Sequence, residues 1–88
     1  MLNPSFTKQF EKDIRNVKKR NKNLDKLKNI IKLLTEQTPL PEKYKNHKLI
    51  GNYKNRMECH IEPNWLLIYK IFENEIIFER TGSHADLF

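Results

Sequence analysis

With 88 residues, 38% of them hydrophobic, the chain can build one modest core and is expected to form one domain over residues 1–88. Its longest apolar run, Trp65-Leu66-Leu67-Ile68-Tyr69, is far below the roughly 20 residues of a membrane span, and the first ten residues lack the apolar stretch of a signal peptide, so a cytoplasmic protein with no membrane association is expected. The net charge of +6 is unevenly spread: residues 1–56 hold 15 Lys/Arg and 5 Asp/Glu, residues 57–88 hold 2 and 6, and a basic half of this kind attracts polyanions through their phosphates.

Phe6, Phe10, Ile14 and Val17 recur at helical spacing between charged residues, which predicts an amphipathic helix from Ser5 to Arg20. Ser5 is a candidate cap, or Pro4 and Ser5 end a short edge strand begun by Met1-Leu2. The block Lys18-Lys19-Arg20-Asn21-Lys22 gathers like charges that a nucleic acid would relieve, so Lys18, Lys19 and Arg20 are candidate RNA contacts. Asn21 and Asn23 suit a break. Leu24, Leu27, Ile30, Ile31 and Leu34 then predict a second helix, Leu24 to Gln37, capped by Asn23 and packed as an antiparallel hairpin on the first.

Pro39-Leu40-Pro41 ends the helical half. Lys48-Leu49-Ile50-Gly51 and Tyr53-Lys54-Asn55-Arg56 read as a strand edge and turn, with Lys48, Lys54 and Arg56 as further RNA-binding candidates. Met57 to Glu62 alternates, placing Met57, Cys59 and Ile61 on one face and Glu58, His60 and Glu62 on the other. Pro63-Asn64 is a turn signal. Trp65–Phe72 and Ile76–Arg80, separated by Glu73-Asn74-Glu75, form a hairpin. The class is α+β: a helical hairpin on one face of a three- to four-stranded antiparallel sheet. Strands so continuously apolar imply that the second face is also partly sheltered, by a binding groove or a protein partner.

All three histidines, His47, His60 and His84, follow residue 46, accompanied by Arg80 and Glu58. RNA cleavage through the ribose 2′-hydroxyl needs a base, a cation on the phosphate and an acid for the leaving oxygen. Histidine suits both proton steps, and the planar fork of Arg80 suits the phosphate. Phe88 or Tyr53 can stack on a base. Cys59 has no thiol partner, and as neighbours on a strand Cys59 and His60 point to opposite faces, so neither a metal site nor a cofactor is expected.

Three segments resemble the YafQ branch of the RelE toxins. They are His60-Ile61-Glu62-Pro63-Asn64-Trp65-Leu66-Leu67-Ile68-Tyr69-Lys70, the tail Phe78-Glu79-Arg80-Thr81-Gly82-Ser83-His84-Ala85-Asp86-Leu87-Phe88, and Pro41 to Leu49 with Gly51. With the lysine-rich helices, the resemblance spans the chain. It implies a RelE-like fold, an endoribonuclease that cuts mRNA, commonly on the ribosome, and a cognate antitoxin of a type II toxin–antitoxin system. It carries active-site roles to His47, His60, Arg80, His84 and Phe88, with Glu58 at an acidic position of the family. Arg80 would hold the phosphate, His60 and His84 share proton transfer, His47 assist and Phe88 stack. Asn64 departs from the usual aspartate; an amide contacts RNA or a neighbour but cannot be a base. Two other readings stand beside this one: a ParE-like gyrase inhibitor of the same fold, and a non-catalytic nucleic-acid-binding module.

Overall fold

The computed structural model describes residues 1–49, 51 and 55–88. Its elements in chain order are β1 (Asn3–Phe6), α1 (Lys8–Lys19), α2 (Leu24–Thr35), a 3-10 turn (Glu42–Tyr44), β2 (His47–Lys48), β3 (Met57–Glu62), β4 (Trp65–Phe72), β5 (Glu75–Gly82) and α3 (His84–Leu87). The class is α+β as expected, but the sheet is larger: five strands in the order β1-β5-β4-β3-β2. The extra edge, β1, runs parallel to β5, with Asn3 opposite Glu75 and Phe6 opposite Phe78; the other pairs are antiparallel.

That strand moves the start of the first helix. Ser5 is spent in β1, and Thr7 is the cap instead, its hydroxyl accepting from the Phe10 N–H at 3.0 Å and donating to the Glu79 carbonyl at 2.9 Å. The cap thus pins α1 to β5 at the point where β1 stops pairing. Asn23 caps α2 as predicted, its side chain accepting from the Asp25 N–H.

The main core joins Phe10 and Val17 of α1 and Leu27, Ile30 and Leu34 of α2 to Cys59, Ile61, Trp65, Leu67, Tyr69, Ile76 and Phe78 of the sheet. Its polar atoms are paired: the Trp65 indole donates to the Thr81 hydroxyl at 2.9 Å, and Thr81 donates onward to the Leu66 carbonyl at 2.7 Å. Burial pushes the Cys59 thiol up to about 12.

A second, smaller core lies across the sheet, where Leu66 and Ile68 pack with Leu87 and Leu49. The far face of β4 is therefore sheltered by the chain's own α3, which is why β4 reads as an unbroken apolar run. Among the described residues, no helix is long and apolar enough to cross a membrane.

Candidate active site

The sheet face that carries Leu66 and Ile68 is assembled by register. His47 pairs with Glu58, Glu58 with Ile68, and Ile68 with Arg80, so one row across four strands carries three of the expected site residues on one side. His60 lies two residues beyond Glu58 on the same face of β3. Glu58 is buried, 5% exposed, between two imidazoles: its Oε1 is 3.2 Å from His47 Nε2 and 3.5 Å from His60 Nε2. The His47 Nδ1 meets the Lys45 carbonyl at 2.6 Å. Lys45 is held at φ 48°, the left-handed turn that brings the chain into β2.

The third histidine arrives on α3. Ser83 begins this single turn with a reciprocal cap: its hydroxyl accepts from the Asp86 N–H at 3.2 Å and its own N–H donates to Asp86 Oδ2 at 2.9 Å. The turn brings the His84 ring to 5.9 Å from His60, centroid to centroid, with His47 6.0 Å beyond His60 and Phe88 6.3 Å from His84. Three imidazoles and an exposed phenyl ring thus form one continuous line. Asn64, at the β3–β4 turn, contacts His84 through Oδ1, 3.0 Å from the backbone nitrogen and 2.9 Å from Nδ1.

Arg80 is anchored from the opposite side by a residue the sequence reading passed over. Asp13 of α1 is buried, 3% exposed, and accepts from Arg80 Nε at 2.8 Å, Arg80 Nη2 at 3.3 Å, Gln9 at 3.1 Å and the Thr81 N–H at 3.1 Å. Thr81 lies on β5 beyond the end of β1, so the carboxylate satisfies an edge N–H that β1 does not reach. The missed signal is positional: Asp13 falls between Phe10 and Val17, on the apolar stripe itself, where a charge is buried only when paired.

The remaining candidates divide. Arg20 is bound to Asp86 by a two-toothed ion pair and so ties the end of α1 to α3; Arg56 is paired with Glu79, Nε to Oε1, at 2.7 Å. Lys18 and Lys19 are exposed in the last turn of α1, and Lys48 is exposed on β2. Lys54 and Tyr53 lie outside the described residues. Beside His60 is a cleft of about 540 Å³ lined also by Lys26, Lys43, Tyr44, Lys45 and Glu62, whose three lysines sequence reasoning did not connect to the site.

The Arg20 guanidinium and the Ser83 N–H hold the Asp86 carboxyl well below the usual carboxylate range. A depressed acid stabilises the fold above its unfolded value of about 3.9 and loses that contribution as the pH falls. Amide protection factors at Leu87 and Phe88, exchange taken relative to the intrinsic rate at each pH, should therefore hold down to about pH 4 and decline below it, and Asp86→Asn should remove this decline. Gly82 is a second sensitive point: a Cβ there would stand 2.8 Å from Asp86 Oδ2, an atom already held by Ser83 and Arg20. Gly82→Ala is expected to cost about 1–3 kcal/mol, measured by thermal unfolding, and to lower any activity that uses His84.

His47, Glu58 and His60 also offer donor atoms within 4.8 Å of one another, a group able to share a metal ion. Cys59 and His60, as strand neighbours, cannot both reach one ion. Cys59 does turn into the core, but His47 supplies the third donor in its place, so the donor set fits a cation with nitrogen and oxygen ligands.

Residues 2–88 match the model of a family described as the bacterial toxin of a type II toxin–antitoxin system, YafQ. The chain belongs to the YafQ toxin family. The mRNA interferase toxin YafQ of Escherichia coli K12 is 45% identical over 84 residues, covering 94% of this chain and 91% of that protein. The YafQ fold is shared throughout: the toxin in the E. coli DinJ–YafQ complex superposes with a TM-score of 0.93 at 43% identity, covering 100% of this chain and 99% of that one. A metal-bound toxin from Helicobacter pylori gives 0.93 at 39% identity over the whole of both chains.

Proposed function

We propose that this chain is an mRNA interferase that cuts mRNA, on the ribosome, by histidine acid/base chemistry with Arg80 stabilising the phosphate. The observation that carries the reading is the unbroken line His47, His60, His84, Phe88, with ring centroids about 6 Å apart, beside a basic cleft. Cleavage places the ribose 2′-hydroxyl and the leaving 5′-oxygen on opposite sides of one phosphorus, so acid and base must stand on either side of it. His60 and His84 are spaced for that division, and Glu58 between His47 and His60 can pass a proton or steady the charge that forms there. Arg80, oriented by Asp13, supplies a fixed cation for the phosphate oxygens. Phe88 stacks on a base, and Lys18, Lys19 and Lys48 attract the RNA at longer range.

The E. coli relative is seen with DinJ, and we infer that a cognate antitoxin likewise holds this chain inactive; co-expression of the neighbouring open reading frame followed by co-purification tests it. The decisive experiment for the activity is RNA end-mapping with and without translating ribosomes, using the wild type and folded His60→Ala and His84→Ala. Defined cuts that vanish in both variants support the reading. Full cleavage by either folded variant removes that histidine from the mechanism, and no cleavage under any condition returns the chain to the gyrase-inhibitor reading.

A further inference from the structure

Asn64 makes two contacts through one atom, and together they settle a question that neither settles alone. Its Oδ1 lies 3.0 Å from the His84 backbone nitrogen and 2.9 Å from His84 Nδ1. A backbone N–H only donates, so the side-chain atom facing it has to be the amide oxygen rather than the amide nitrogen. That backbone group is itself fixed, because the turn it opens is closed by the Ser83–Asp86 cap and tied to α1 by Arg20. The orientation of the Asn64 amide is therefore imposed by the fold and not by the imidazole.

The consequence passes to the ring. An amide oxygen carries no hydrogen, so it can bond Nδ1 only when Nδ1 bears the proton. A neutral imidazole has a single N–H; with that proton on Nδ1, the lone pair belongs to Nε2. We propose that Asn64 is a positioning residue that locks His84 in the Nδ1–H tautomer, so that His84 exchanges its catalytic proton through Nε2 alone. Nδ1–H stays on Asn64 whether the ring is neutral or cationic, so the ring need not rotate between accepting a proton and giving it up. A carboxylate at position 64 would impose the same tautomer, but would add a negative charge beside the bound phosphate. The amide performs the orienting task without that charge. The inference rests on the reading of His84 as a group of the RNA-cleaving site.

Long-range ¹H–¹⁵N spectra of the histidine-labelled protein distinguish the two neutral tautomers directly, without RNA. The wild type is expected to show His84 with a protonated Nδ1 and an unprotonated Nε2. In Asn64→Ala the ring should shift toward the Nε2–H form, and kcat for RNA cleavage should fall about tenfold or more while KM changes little. Asn64→Asp should restore the tautomer and most of the lost kcat. A wild-type His84 protonated at Nε2 when neutral, or an unchanged tautomer in Asn64→Ala, overturns the proposal. If the tautomer shifts as expected but folded His84→Ala still cleaves, the lock stands and the catalytic reading of His84 is what fails.

Discussion

Asp13→Ala is expected to destabilise the protein by about 3–5 kcal/mol, the range for breaking a buried ion pair from one side. A domain of this size has about 5–15 kcal/mol in total, so the variant stands near the limit of folding. The reason is that one carboxylate, 3% exposed, serves four donors on two elements. Its removal takes the Asp13 carboxylate away from the Arg80 guanidinium and leaves the Thr81 N–H, in a residue 1% exposed, without the acceptor it has there. Asp13→Asn keeps one acceptor but turns an NH₂ group toward cations, and should fall between Ala and wild type. Thermal or urea unfolding reads the effect, at about 4–8 °C of melting temperature per kcal/mol for a domain this small. A loss below about 1 kcal/mol would place the pair with ordinary surface ion pairs and remove Asp13 as the anchor of Arg80.

The second large effect concerns activity. Arg80→Ala should reduce single-turnover RNA cleavage by about 10²–10³-fold, the scale on which one fixed electrostatic donor acts in a transition state. It should also destabilise, since Asp13 then keeps only Gln9 and the Thr81 N–H. The two consequences can be separated. Adding Asp13→Asn to Arg80→Ala neutralises the stranded carboxylate and should recover part of the stability, while cleavage stays low. Arg80→Lys retains the charge but lacks the fork needed to meet Asp13 and a phosphate together, so it should rescue stability better than activity. Near-normal cleavage by folded Arg80→Ala would exclude the arginine from phosphate binding.

The parts of this molecule that could be read from sequence are those whose side chains report their own surroundings. Met57–Glu62 alternates because one face of β3 meets the core and the other the site, and the observed strand has the predicted bounds. Asn23 announces the start of α2 because a cap acts within its own turn. For β1, where all four residues are exposed and no alternation survives, the sequence offers a short edge strand ending at Pro4-Ser5 only as an alternative to a Ser5 cap; the strand exists because β5 offers an edge. The two-residue β2 and the single-turn α3 are too short to show a period, although Ser83 and Asp86 carry the spacing of a capping box.

The site follows the same division. His60 and Glu58 are joined by strand spacing alone. His47, Arg80, His84 and Phe88 were connected to them through family resemblance, because their proximity depends on pairing and on a helix folded over the sheet. Asp13 escaped both routes: it lies in α1, remote in sequence from the histidines, and its link to Arg80 spans 67 positions. The apolar run of β4 implies a sheltered second face, and the shelter is Leu87 and Leu49 of the same chain rather than the binding groove or protein partner expected from the sequence.

Cys59 sits on β3 between Glu58 and His60, fully buried, with its thiol held in the unreactive protonated form. Alkylating agents and mild oxidants can reach it only when β3 leaves the sheet, the same opening that would dismantle the histidine line. The rate of thiol labelling is therefore a built-in clock for exposure of the strand that carries Glu58 and His60: it should be slow in the native protein, slower still with any tightly bound inhibitor protein, and faster in Asp13→Ala before bulk unfolding is visible.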